Sequence, residues 1–188
     1  MRYFFRTCLF IPFGLFVLPG CTSEQPKPGD SPVTPAPMNV AEVSSVVPRR
    51  DKVPNFSWKD STGKVVDYDS FHGKVTLINF WATWCSPCKK ELPDLVAISQ
   101  ELAGKGVKII GVSQDRGVNV LEDVKSFVRD NRIPYQIVIS TDELEEAFHN
   151  VRQLPTTFLV DGQGNIVKTF IGARSKEIFT QAVTPLLE

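Results

Sequence analysis

The sequence predicts an α/β fold: a mixed, mostly parallel central sheet flanked by helices, with an N-terminal β-hairpin extension. Three observations predict it. Two nearly continuous apolar runs, "VTLINF" (75–80) and "VKIIGVSQ" (107–114), are separated by a stretch with helical spacing. Runs of this kind are strands buried on both faces, and strand–helix–strand implies a parallel crossover. Residues 118–130 and "YQIVIS" (135–140) repeat the helix-then-strand order. Finally, "TTFLVD" (156–161) and "IVKTFI" (166–171) flank a Gly-Gln-Gly-Asn turn signal and so predict an antiparallel hairpin.

Taken in order, the chain opens with "MRYFFRTCLFIPFGLFVLPGC". Arg2 and Arg6 precede a short apolar stretch, the layout of an export signal. The stretch is too short for a membrane span of roughly 20 residues. Leu18, Gly20 and Cys21 resemble the end of a bacterial lipoprotein signal, in which the cysteine is lipidated; Pro19 departs from that pattern. Residues 1–20 are therefore expected to be a lipoprotein-type signal peptide, with Cys21 as the lipidation site and acyl chains holding the protein at a membrane. Residues 21–50 are rich in Pro, Ser, Thr and Val and poor in large apolar side chains, which predicts a flexible, extended spacer. The folded domain is expected over 51–188.

Within it, "NFSWKDSTGKVVDYD" (55–69) reads as a small hairpin around Thr62-Gly63. The strand at 75–80 leads into a helix from about Pro87 to Leu102, and Pro93 inside it removes one backbone hydrogen bond. Leu121, Val124, Phe127 and Val128 mark one face of the next helix. "DELEEAFHN" (142–150) is a short helix with acidic residues at its start, where the helix dipole favours them. An amphipathic helix over 175–187 closes the chain.

Composition narrows the function. The 21 basic and 21 acidic residues cancel, which argues against a nucleic-acid binder. Of four cysteines, Cys8 leaves with the signal and Cys21 is acylated, so Cys85 and Cys88 are the only thiols of the domain. Zinc needs four ligands, and beyond the pair only the isolated His72 and His149 are on offer; no metal is expected. A structural disulfide across so tiny a loop removes little unfolded-state entropy. Redox chemistry explains the placement: a cysteine at a helix N-terminus faces unpaired N–H groups and the positive dipole end, which favour the attacking thiolate. The second cysteine, one turn on, is positioned to resolve a mixed disulfide.

"FWATWCSPCKKELP" together with "LPTTFLVDGQGNIV" (154–167) resembles the TlpA/ResA-type membrane-tethered thiol-disulfide oxidoreductases of the thioredoxin superfamily. The likeness spans about 50 to 188. It implies a thioredoxin-like fold with Cys85 as exposed nucleophile, Cys88 as resolving thiol and no cofactor beyond their disulfide. Trp84 borders the site. Pro155, after Leu154, matches the cis-proline that lets neighbouring backbone, Leu154 to Thr156, dock an extended substrate. Asn79 stands where thioredoxin carries a buried aspartate that helps proton transfer. Helical spacing puts Glu91 with Cys88, Leu95, Ile98 and Leu102 on the apolar face, where burial raises a carboxyl pKa and equips it to take the Cys88 proton; the alternative is a place at the helix edge with the carboxylate reaching to water. ResA-type proteins carry a functional glutamate there.

Ser-Pro between the cysteines resembles the pairs of reductants rather than oxidants. The expectation is thus a monomeric, extracytoplasmic, lipid-anchored protein disulfide reductase on a bacterial membrane. A membrane thiol carrier of the DsbD/CcdA type would recharge it. Disulfide clients by family analogy are apocytochrome c or oxidase copper-site cysteines. A peroxiredoxin-type thiol peroxidase and a copper-handling dithiol protein are the alternatives. The first is disfavoured by the adjacent resolving cysteine; the second is to be distinguished by stoichiometric Cu(I) retention.

Overall fold

The computed structural model describes residues 39–50 and 52–188. The expected signal, Cys21 and most of the expected spacer lie outside the described residues. In chain order the elements are β1 (Val40–Val47), β2 (Asn55–Lys59), β3 (Val65–Asp67), α1 (Tyr68–Phe71), β4 (Val75–Trp81), α2 (Ser86–Leu102), β5 (Val107–Ser113), α3 (Val120–Asp130), β6 (Gln136–Ile139), α4 (Asp142–Ala147), β7 (Thr156–Asp161), β8 (Ile166–Ile171) and α5 (Lys176–Val183). They form one eight-stranded sheet in the order β3-β2-β1-β6-β5-β4-β7-β8. The strands β1, β6, β5 and β4 run parallel, and antiparallel pairs close both ends.

One expectation is corrected. The spacer was expected to reach residue 50, yet residues 40–47 are a strand that pairs parallel with β6 and antiparallel with β2. Val40, Ala41 and Val43 are buried in the two halves of the core. The dense run of prolines ends at Pro37, and beyond it Val40, Val43, Val46 and Val47, with Ser44 and Ser45 among them, are good strand material once partners are available. β2 follows close behind in the chain, but β6, the partner that docks this stretch on the main sheet, lies almost a hundred residues away, so nothing local announces that pairing. β1 also joins the β2–β3 hairpin to the main sheet.

The core lies on both faces of the sheet. Every residue of β4 is buried, which is why it reads as an unbroken apolar run. Its side chains alternate. Val75, Leu77 and Trp81 pack toward the cluster containing Leu95 and Ile98 of α2, Val124 and Val128 of α3, and Phe179 and Val183 of α5. Ile78 and Phe80 pack on the other face with Phe56, Trp58, Tyr68, Leu144, Phe148 and Phe158. By the same alternation Asn79 points to the α2 face. Gly111, in the middle of β5, is where the two layers crowd the backbone: a Cβ built there would lie 2.4 Å from Ile137 Cδ1 and 2.9 Å from Trp81 Nε1. Among the described residues no helix is long and apolar enough to cross a membrane.

Candidate active site

The site forms where β4 ends and α2 begins, at the carboxyl ends of parallel strands, the edge at which open α/β sheets handle ligands. Cys85 is the N-cap of α2. Its backbone is extended (φ −78°, ψ 103°) and its Sγ accepts the Cys88 N–H at 3.2 Å. Pro87 occupies the first turn, where a missing N–H is not felt, and that turn holds no acidic side chain. The unpaired N–H groups and the dipole therefore act on the Cys85 sulfur without a competing charge. Cys85 and Cys88 are joined by a disulfide, so this is the oxidised form.

The resemblance implied an exposed Cys85. In the oxidised form it is 5% exposed, no more than Cys88. The disulfide ties its sulfur to Cys88, which sits on the core face of α2. What separates the two is the space in front: Cys85 lines an open depression of about 630 Å³ and Cys88 does not. The depression is also lined by Trp84, Ser86 and Pro87 around the start of α2 and by Gln114, Val151, Arg152 and Leu154 from the loops after β5 and before β7. Trp84 is 67% exposed, an aromatic surface held beside the disulfide.

Behind the pair, Glu91 is only 2% exposed. It does not reach out to water from the helix edge. Its Oε2 accepts Asn79 Nδ2 at 3.1 Å, and its Oε1 accepts the backbone N–H of Arg174 at 2.9 Å. Asn79 in turn donates to Thr157 Oγ1 at 2.8 Å. Burial pushes the Glu91 carboxyl up to about 7, with the Arg174 N–H and the Asn79 amide opposing the rise. Asn79, unable to take a proton itself, thus orients the carboxylate that can.

A second buried carboxylate went unnoticed in the sequence. Asp115, 7% exposed, lies just past β5. It accepts Thr83 N–H at 2.9 and 3.2 Å, Thr83 Oγ1 at 2.6 Å and Ser113 Oγ at 2.7 Å. Thr83 stands two residues before Cys85, so Asp115 fixes the loop that presents the nucleophile. The signal lay in the register. β4 and β5 pair Trp81 with Ser113, and the same offset carried two residues further sets Thr83 opposite Asp115.

The expected docking set divides. Leu154 lines the depression with Trp84 and Cys85. The Leu154–Pro155 peptide bond is cis. Pro155 and Thr156 lie buried behind Leu154, and the Thr156 hydroxyl donates to Gln153 O at 2.8 Å. Gln114, Val151 and Arg152 were missed; the Gln114 amide donates to Val151 O at 3.1 Å and holds that loop over the site. Among the described residues no three His, Cys, Asp or Glu side chains gather as metal ligands would.

Comparison with known proteins agrees with this geometry. A family model described as the AhpC/TSA family matches residues 50–169. The thiol-disulfide oxidoreductase ResA of Bacillus cereus is 34% identical over 137 residues, covering 71% of this chain and 78% of the relative. A thioredoxin-family thiol:disulfide interchange protein from Chlorobium tepidum superposes with a TM-score of 0.65 at 32% identity, over 74% of this chain and 98% of that one. An exposed lipoprotein thioredoxin from Streptococcus pneumoniae gives 0.59 at 27% identity, over 70% of this chain and 98% of that one.

Proposed function

The chain belongs to the AhpC/TSA family and is a thioredoxin-like thiol-disulfide oxidoreductase, and from that membership we propose an extracytoplasmic protein disulfide reductase working through Cys85 and Cys88. The observation that carries the reading is a disulfide capping a helix N-terminus, open to a depression on one side and backed by a buried carboxyl poised near neutrality on the other.

In the reduced protein the Cys85 thiolate attacks one sulfur of a client disulfide. A Cys85–client bond forms, the client S–S bond breaks, and the departing client thiolate takes a proton from water. Cys88 then gives its proton to Glu91 and attacks Cys85 Sγ, which expels the second client thiolate. The client gains two electrons and the protein leaves as the Cys85–Cys88 disulfide. Trp84 and Leu154 offer the apolar walls of the cleft, and the backbone from Leu154 through Pro155 to Thr156 is the docking edge for an extended client. A carboxyl whose affinity for protons is matched to neutral pH suits a base that must accept and release a proton each turnover.

The basic-then-apolar N-terminus ending in Cys21 supports export with a lipid anchor, and a relative described as an exposed lipoprotein fits that reading. Residues 1–20 act as signal, and the spacer from Cys21 ends where β1 begins. A reductant in an oxidising compartment needs a membrane dithiol carrier of the DsbD/CcdA type, and disulfides formed between the haem-attachment cysteines of apocytochrome c or the copper-site cysteines of an oxidase are its clients. The test is to equilibrate the protein against glutathione redox buffers and to assay insulin-disulfide reduction. A strongly reducing potential with turnover is expected; a potential near that of the oxidant DsbA overturns the direction.

A further inference from the structure

We infer that Arg152 selects clients: the redox depression favours disulfides flanked by a carboxylate. The inference rests on the dithiol-exchange reading above and adds a substrate class to it. Among the residues lining the depression, Arg152 alone carries a charge; Trp84, Ser86, Pro87, Gln114 and Leu154 are neutral. In a wall of that kind one unpaired guanidinium sets the local potential a client meets. Arg152 is exposed, and among the described residues no carboxylate pairs with it. Other arginines nearby are committed. Arg116 pairs with Asp142 and Glu145. The Arg174 guanidinium donates to the carbonyls of Ile171, Gly172 and Ala173.

The loop that carries Arg152 is anchored as well. The loop carrying it is tethered by the Gln114 amide to Val151 O, and Gln114 is itself anchored by its N–H on Trp81 O at 2.8 Å. That chain of contacts starts from the strand that delivers Cys85. Arg152 thus lines the same depression as Cys85 from an anchored loop. A guanidinium offers a planar fork that matches a carboxylate in two parallel hydrogen bonds, so it reads an acidic side chain or a chain-terminal carboxylate beside the client cysteine. The exchange chemistry is unchanged; what Arg152 supplies is encounter and orientation.

The test uses the reduced full-length protein with two small disulfides of opposite charge, oxidised glutathione, net negative, and cystamine, net positive. Second-order rate constants for formation of the Cys85–Cys88 disulfide are measured at low and high salt. Wild type should prefer glutathione. Arg152→Gln should cut the ratio of the two rate constants about fivefold at low salt, Arg152→Glu should cut it further, and Arg152→Lys should retain most of it. Wild type that reacts with both probes, with a ratio that none of the substitutions moves, overturns the selection alone. Wild type inert to both overturns the dithiol-exchange reading and this inference with it.

Discussion

Replacing Glu91 with Gln tests the buried base directly. The Glu91 carboxyl moves from an ordinary 4.5 to about 7 on folding, and desolvation is the dominant cause. Its folded-state affinity for a proton exceeds its unfolded one, so the folded protein holds a proton that the unfolded chain has lost between those two values. The stability contributed by Glu91 is therefore full below about pH 4.5 and is lost as pH rises through 7. At 1.36 kcal/mol per pH unit the loss is on the order of 3 kcal/mol. Asp60, Asp69 and Asp161 shift the other way, and their contribution is lost only under acid conditions, well below this window. Guanidinium denaturation of the oxidised protein at pH 5 and pH 8 should show the loss in wild type and little of it in Glu91→Gln. The variant should also slow resolution of a Cys85 mixed disulfide by roughly 10²-fold or more, the typical worth of a positioned base. Wild-type resolution should accelerate with pH through about 7 as the carboxylate forms, and the variant should not follow. Equal pH slopes of stability in the two proteins, with equal resolution rates, would refute the assignment.

Four further outcomes are expected. Cys88→Ala should hold clients as mixed disulfides on Cys85, seen as bands released by dithiothreitol on non-reducing gels, and Cys85→Ala should hold none. Asp115→Asn turns an amide N–H toward donors it cannot pair with, which should cost about 1–3 kcal/mol in a denaturant melt. Gly111→Ala drives a Cβ into Ile137 and the Trp81 ring and should cost about 1–3 kcal/mol by overpacking, again read from the denaturation midpoint. Deleting residues 1–38 should leave the melting temperature of the domain within a few degrees, whereas deleting 1–47 removes β1, exposes the edges of β2 and β6, and should lower stability by about 3 kcal/mol or more.

What could be read in the sequence follows a physical division. The strands at 75–80 and 107–114, the helix after the cysteines and the closing hairpin are written in local periodicity, and each appears where expected. Glu91 was legible for the same reason, because helical spacing places it on the face of Leu95 and Ile98. β1 was not, since the partner that docks it on the main sheet, β6, lies almost a hundred residues on, and the proline-rich stretch before it masks its strand propensity. Asp115 sits in "SQDRG", a stretch that by itself reads as a turn; its role exists only once two strands lie in register. The Arg174 contact to Glu91 is made by a backbone N–H, which no side-chain pattern can announce.

The two buried carboxylates near the disulfide differ in a way that supports the base proposed for Glu91 and a different part for Asp115. Asp115 is met by donors on both oxygens, the Thr83 and Ser113 hydroxyls at 2.6 and 2.7 Å and the Thr83 N–H shared between the two oxygens at 2.9 and 3.2 Å. Its hydrogen bonds all go to Thr83 and Ser113, so it serves as a clamp on the loop before Cys85. Glu91 accepts one hydrogen bond on each oxygen, which leaves each a free lone pair. A proton acceptor needs that vacancy, and it needs an environment that makes protonation cheap. Glu91 has both, on the helix that carries Cys88. The substitution of an amide at Asn79 is then more than the loss of an acid: a second carboxylate at that place would repel Glu91 across 3.1 Å and leave Thr157 without its donor. Asn79→Asp should accordingly drive the Glu91 proton affinity higher still and shift the pH dependence of resolution upward. A resolution profile that stays at about 7 in Asn79→Asp would mean that the two groups do not share the proton network inferred for them.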